Sequence, residues 1–184
     1  MVLAPLAQAH CAQLQQASAL GELYRLWYTF VPAPEDMAAE IDRRLDLQER
    51  GEMLPFATCL PDGSAIGMTT YMNIDAANRR LEIGSTWLGR AAQRSPVNTE
   101  AKRLMLAHAF DDLGCIAVEF RTHFMNAQSR AAIERLGAKL DGILRAHMRL
   151  ANGTLRDTVV YSITAPEWPA VRANLDWLLT RPRP

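Results

Sequence analysis

The sequence predicts a single mixed domain of the α/β (α+β) class, a mostly antiparallel central sheet with helices on both faces. Three observations predict it. Runs that alternate apolar and polar residues recur along the chain, and two pairs of them flank the tight-turn signals Asp62-Gly63 and Asn152-Gly153. Stretches of helical periodicity lie between the runs, closed by Gly114 and Gly137. One strand, Arg80–Leu88, is followed by a helix and then another strand, an order that sets two parallel strands together in mid-sheet.

Composition agrees with one domain. The 184 residues are 49% hydrophobic and 22% charged, a globular balance with enough chain for a full core. Twenty basic residues offset twenty acidic ones, so nothing draws the whole surface to nucleic acid or to an anionic membrane. Cys11, Cys59 and Cys115 are few and odd in number and fit a reducing, cytoplasmic setting better than a disulfide framework. The first ten residues lack the charged start and long apolar stretch of a signal peptide. No run reaches the ~18 apolar residues of a membrane span. His10, His108, His123 and His147 lack metal-ligand spacing, so no metal is expected.

Taken in order, Val2–Leu6 reads as a short edge strand. His10–Gln16 and Gly21–Thr29 read as helical turns. Trp27, Tyr28 and Phe30 either fill the core or wall a substrate groove. Pro32 to Glu35 opens a helix with Met37, Ile41 and Leu45 on its stripe and Arg43, Arg44 and Asp46 off it, ending near Gly51. Leu54–Leu60 and Ala65–Asn73 form a hairpin leading to Arg80–Leu88. The helix Val97–Leu113 is apolar on most faces, carrying Leu104, Met105, Leu106, Phe110 and Leu113. The strand Ile116–His123 follows. Asn126 then caps a helix with Ile133 and Leu136 on its stripe. Lys139–Leu150 and Leu155–Thr164 make the second hairpin, with Arg145, His147 and Arg149 on one face: a solvated face, or one that meets an acidic substrate. Thr164 and Glu167 form a capping box before a helix presenting Trp168, Val171, Leu175 and Leu178. Residues 179–184 read as a tail.

The run from Arg80 to Arg103 organises the chain. Leu81, Ile83, Ser85 and Trp87 alternate with Glu82, Gly84, Thr86 and Leu88, a strand's period of two. A polar loop then enters a helix, whose N-terminus exposes unpaired N–H groups and the positive end of a dipole. With Arg94 beside it, that corner suits an anion, above all a diphosphate.

Three segments carry a wider resemblance: E-I-G-S-T-W-L at Glu82–Leu88, the loop Gln93–Asn98 entering its helix, and N-A-Q-S-R-A-A-I-E-R-L-G-A at Asn126–Ala138. With R-D-T-V-V-Y-S-I at Arg156–Ile163 and the closing E-W-P, they make the chain, from about residue 3 to 178, resemble the GCN5-related N-acetyltransferase superfamily. The similarity points to the branch of ribosomal-protein N-terminal-alanine acetyltransferases. The resemblance implies a strand Glu82–Leu88 splayed from the parallel strand Ala117–His123, with acetyl-CoA or coenzyme A as co-substrate in the gap. It implies pantetheine pairing at Trp87 and Leu88 and a diphosphate on Gln93, Arg94, Ser95, Pro96, Val97, Asn98 and Thr99. It further implies Asn126 and Ser129 at the pantetheine and thiol end, and Arg130 at the adenosine phosphate. Two positions depart from the family pattern. Pro96 and Asn98 stand where the loop usually has glycines, and Ile133 stands where many members carry a tyrosine acid.

The implied reaction is direct attack of a primary amine, on a protein N-terminus or a small molecule, on the acetyl thioester. Glu82 is the candidate base, sharing a strand face with Thr86; the other reading makes it a structural partner for an arginine. Glu119 and His123 are further candidates. Ser129 is the candidate donor to the thiolate, or else part of the helix cap with Asn126. A backbone N–H near Leu88 would steady the oxyanion. The alternative function is a non-catalytic CoA-binding sensor or interaction module. Self-association is expected, since the architecture leaves sheet edges to cover.

Overall fold

Seven strands form one sheet among residues 1–181, the part of the chain that the computed structural model describes. They are β1 (Val2–Pro5), β2 (Met53–Cys59), β3 (Ala65–Asp75), β4 (Arg80–Leu88), β5 (Ala117–His123), β6 (Lys139–Arg149) and β7 (Leu155–Thr164). The helices are α1 (Cys11–Ala19), α2 (Met37–Glu49), α3 (Val97–Ala107), α4 (Ala127–Leu136) and α5 (Trp168–Thr180). The order is β1-β2-β3-β4-β5-β7-β6. β4 and β5 run parallel; the other pairs are antiparallel. β1 and β6 are therefore the open edges.

The sheet separates two apolar cores. On one face Ile83, Val118, Phe120, Tyr161 and Ile163 meet Met105 and Leu106 of α3, Leu136 of α4 and Leu175 of α5. On the other, Ala57, Met68 and Trp87 meet Leu14 of α1 and Met37 and Ile41 of α2. Each such Leu or Ile contributes about 1.5–3 kcal/mol by leaving water. The helix ends follow local chemistry. Asn126 caps α4, its Oδ1 accepting from the Ser129 N–H at 3.0 Å. Gly137 closes α4 at φ +103°, a left-handed conformation that glycine adopts without strain. Glu167 accepts from the Thr164 N–H at 2.9 Å, completing the capping box.

Several elements differ from the sequence reading. The segment Gly21–Thr29 forms only one 3₁₀ turn, Leu23–Arg25, because Gly21 and Glu22 both take left-handed angles. Trp27 and Phe30 are 50% and 67% exposed, so this cluster does not fill the core. Arg44 is 1% exposed, on the buried stripe of α2 rather than off it. The helix from Val97 changes at His108 to a π-helical turn, His108–Asp112, and Leu104 and Leu113 face solvent. Ala146 at φ +48° breaks the alternation of β6. Arg145 turns to Asp157 and His147 to Thr158, so Arg145, His147 and Arg149 form no continuous basic face. Helix α5 continues to Thr180, into the expected tail; residues 182–184 lie outside the described residues.

Candidate functional site

Strands β4 and β5 pair at three positions only: Arg80 with Ala117, Leu81 with Val118, and Glu82 with Glu119. Beyond Glu82 they part. β4 stays with β3 as far as Leu88, and β5 stays with β7 as far as His123. Facing backbone groups along the gap are thus left without a strand partner, a place where an extended amide chain can bond as a further strand would.

A bulge re-aims β4 inside that gap. Thr70 pairs with Gly84 and Met68 with Trp87, so Ser85 and Thr86 stand together opposite Thr69. Ser85 takes φ +47° to make the kink. The regular alternation ends there. Leu81 and Ile83 face α3, whereas Trp87 faces α1 and α2. Thr86 bonds Thr69 on the α3 side, 2.8 Å away. Glu82, paired with Met72, lies on the α2 side, so Glu82 and Thr86 do not share a face as the unbroken alternation predicts. Gly84 makes room beside it: a Cβ there would lie 2.8 Å from Glu82 Oε1.

Two buried cations brace the bulge from opposite sides. From α2, Arg44 donates to Thr70 Oγ1 at 2.9 Å and to the Ser85 carbonyl at 3.3 Å. Its counter-charge is Glu40, at 2.7 Å. Burial alone would raise the Glu40 carboxyl, but hydrogen bonds from Arg43 and the charge of Arg44 outweigh it and hold the group below its usual range. From α3, Lys102 donates to Thr69 Oγ1 at 2.8 Å and Thr86 Oγ1 at 2.9 Å. It meets no carboxylate among the described residues, and burial pushes its ammonium down to about 7. Neither role is expected from the sequence pattern, in which Lys102 is unmarked and Arg44 falls off the apolar stripe. The available signal was their spacing: Lys102 lies three and four residues before the buried Met105 and Leu106, and Arg44 three after Ile41.

The loop after β4 ends at the N-terminus of α3. Gln93 folds back to donate to the Leu88 carbonyl at 3.0 Å. Arg94 is exposed, at φ +60°. Ser95 Oγ accepts from the Val97 N–H at 3.3 Å, and Pro96 has no N–H to offer. The next two amides, of Asn98 and Thr99, are too near the helix start to bond within it. Glu100 returns to the Pro96 carbonyl. The Thr99 side chain is buried and takes a hydrogen bond from Arg135 at 3.0 Å. This corner can hold an anion on two main-chain donors, the helix dipole and the charge of Arg94.

Across the open mouth of the gap, just past the end of β5, Asn126 and Ser129 start α4. The Ser129 backbone is engaged by the cap, while its hydroxyl makes no hydrogen bond within the described residues. Arg130 donates to the Tyr161 hydroxyl at 3.2 Å and lies 4.9 Å over the Phe124 ring. Ile133 is in the core.

Glu82 is buried where the two strands diverge, beside a cavity of about 180 Å³ lined also by Asn73, Arg80, Glu119 and Arg121. Asn73 donates to it at 2.7 Å and Arg121 stands 3.6 Å away. Burial outweighs both and raises its carboxyl above the usual range. Glu119 is bound by Arg80 and Arg121. At the open end, His123 accepts the Met125 N–H on Nδ1, leaving a buried Nε2 without a partner among the described residues. The half-exposed Trp27 packs edge-on against its ring, 5.3 Å between centroids. No cluster of three potential metal ligands occurs among the described residues.

A parallel pair splayed beside a helix N-terminus with two free amides defines a protein that can take an extended ligand with an anionic end. Comparison with known proteins says which kind. The model of the acetyltransferase (GNAT) domain matches residues 1–139, and the chain belongs to that family. A GCN5-related N-acetyltransferase from Brucella melitensis is 34% identical and superimposes with a TM-score of 0.85, over 96% of this chain and 81% of its own. YdaF of Bacillus subtilis (strain 168), provisionally named a ribosomal N-acetyltransferase, is 35% identical over 61% of this chain and 60% of its own length. The chain thus aligns with less than two thirds of that relative. The fold is also that of Mycobacterium smegmatis RimJ, solved with CoA-disulfide, at 22% identity and a TM-score of 0.80 over 96% of this chain and 88% of that one.

Proposed function

We propose that the chain transfers the acetyl group of acetyl-CoA to a primary amine, with a protein N-terminus, such as that of a ribosomal protein, as the first acceptor to try. One observation carries the reading: the divergence of β4 from β5 next to the free Asn98 and Thr99 amides in the first turn of α3. In this reading the Asn98 and Thr99 amides and Arg94 hold the diphosphate, with Gln93, Ser95, Pro96 and Val97 shaping the loop. The backbone at Trp87 and Leu88 bonds the pantetheine amides, and Asn126 and Ser129 flank its thiol end. Arg130 takes the adenosine phosphate by releasing Tyr161. Glu82, raised by burial, removes a proton from the incoming amine. The names of YdaF and RimJ support a protein acceptor and a CoA ligand. We place the activity in the cytoplasm, where a ribosomal N-acetyltransferase, as YdaF is provisionally named, would meet its substrates.

The test is calorimetric titration of the protein with acetyl-CoA and CoA, beside Arg94→Ala and Asn126→Ala. Weaker binding by both variants is the expected outcome. No binding by folded wild type would sink the reading. Turnover is then sought with a panel of N-terminal peptides and small amines. Tight binding with no turnover on any of them would favour the sensor, a role to which Pro96 and the engaged Val97 N–H lend some weight by removing two donors from the phosphate corner.

A further inference from the structure

We propose that Thr86, backed by Lys102, is the proton donor to the departing CoA sulfur, in place of the tyrosine for which Ile133 stands. This rests on the acetyl-CoA reading above. The geometry is a closed triangle: Lys102 Nζ to Thr69 Oγ1 at 2.8 Å, Lys102 Nζ to Thr86 Oγ1 at 2.9 Å, and Thr69 Oγ1 to Thr86 Oγ1 at 2.8 Å. Lys102 itself is shut away from solvent, whereas Thr86 is exposed. Thr86 is thus the only exposed member of the triangle, and the route by which the ammonium reaches a ligand.

Position favours the sulfur as its target. A ligand anchored by its diphosphate at Asn98 and Thr99 and bonded along Leu88 and Trp87 runs back up β4, so its thioester falls at the next residues, Thr86 and Ser85. The bulge turns Thr86 toward the α3 side, the side on which α4 packs. Glu82 lies on the other, the α2 side. Base and acid therefore stand on opposite sides of the sheet, which lets the amine be deprotonated from one side while the sulfur is protonated from the other.

The protons balance. As the amine nitrogen bonds the acetyl carbon and the C–S bond breaks, the amine sheds one proton on the Glu82 side and the sulfur gains one. That proton comes from the Thr86 hydroxyl, which takes its replacement from Lys102. Lys102 donates to both threonines; when Thr69 donates to Thr86 rather than to the Met105 sulfur 3.6 Å away, the Thr86 proton has only the Gly84 carbonyl, 3.3 Å away, to compete for it. After the thiol leaves, Glu82 gives its proton to water and water restores the Lys102 proton through the Thr86 hydroxyl, so no net proton is gained or lost. From β3 the ammonium meets Thr69 and from β4 Thr86; Asp176 of α5 is bound to Arg103 and Glu134 of α4 to Tyr161. A lysine held near 7 by burial is more acidic than a thiol, about 8.5 for cysteine and higher for a simple alkyl thiol, so the proton moves downhill to the departing sulfur.

Three variants test this with N-terminal peptide acceptors. Thr86→Val keeps the size and leaves Lys102 bonded to Thr69; it lowers kcat by about 10²-fold with the acetyl-CoA KM unchanged, and Thr86→Ser restores the rate. Wild-type kcat falls above pH 7 as Lys102 loses its proton, and that limb disappears in Thr86→Val. Lys102→Arg keeps the charge and the hydrogen bonds but cannot give up a proton, so it is as slow as Thr86→Val; full activity with the wild-type profile in Lys102→Arg would overturn the proposal and leave Lys102 a structural brace. A readout without turnover is the NMR titration of the Lys102 side chain, assigned by its loss in Lys102→Arg. A midpoint near 7 is expected, and one above 10 would overturn the proposal. Wild type that turns over no amine would count against the acetyltransferase reading, while an active Thr86→Val would count against this inference alone.

Discussion

Replacing Arg44 by methionine tests how the bulge in β4 is held. The guanidinium is 1% exposed and bonds Glu40, Thr70 and the Ser85 carbonyl. Removing one partner of a buried pair costs about 3–5 kcal/mol, because the other charge stays behind in a dry site. Here the lower end applies, about 3 kcal/mol, since the half-exposed Arg43 still holds Glu40 by two hydrogen bonds. In a chain of this size 1 kcal/mol moves the melting midpoint by about 2–4 °C, so the expected fall is about 6–12 °C. Thermal and urea unfolding measure it. The double change Glu40→Gln/Arg44→Met removes both charges and recovers at least half of the loss, as apolar replacement of whole buried pairs commonly does. The reasoning fails if Arg44→Met loses less than about 1 kcal/mol, the level of a surface pair. It fails equally if the double variant is no better than the single.

Two further predictions concern pH. Glu82 has a raised carboxyl, so its contribution favours the fold below its unfolded value of about 4.3 and is lost as pH rises through the higher folded value. Glu82→Gln therefore melts at the same or a higher temperature than wild type at pH 8, with the gap closing toward pH 4, while its turnover drops; a large loss of stability at pH 8 would make Glu82 a structural ion-pair partner instead. Glu167 is held at about 2, by Lys139 first and then by the Thr164 N–H and hydroxyl. Its contribution is present above about pH 4.3 and lost as pH falls toward 2. Melts of Glu167→Gln against wild type should differ most at neutral pH and converge near pH 2; a gap that does not change with pH would refute this.

The fold was legible wherever one residue type forces one local geometry. Asp62-Gly63 and Asn152-Gly153 can hardly be anything but turns, and both hairpins form around them. Asn126 and the Thr164–Glu167 pair carry their capping chemistry in the side chain, and both caps are made. The bulges were not legible. Ser85 and Ala146 take left-handed angles that no preference of serine or alanine announces; the surrounding pairing imposes them. An unbroken period of two therefore put Glu82 and Thr86 on one face and Arg145, His147 and Arg149 on another. At the site, the resemblance supplied the divergence of β4 from β5. The buried cations that hold it were readable only by treating a lysine or arginine on an apolar stripe as a signal rather than as an interruption.

The parting of β4 and β5 after three residue pairs changes where the cost of ligand capture falls. Two neighbouring strands left unbonded over half their length are a standing loss, met during folding by the cores on both faces and by Arg44 and Lys102. An incoming chain of amides then has no sheet to pry open and few rotamers to freeze. Recognition at such a slot is preorganised, and its strength reflects how firmly the rest of the molecule keeps two strands apart.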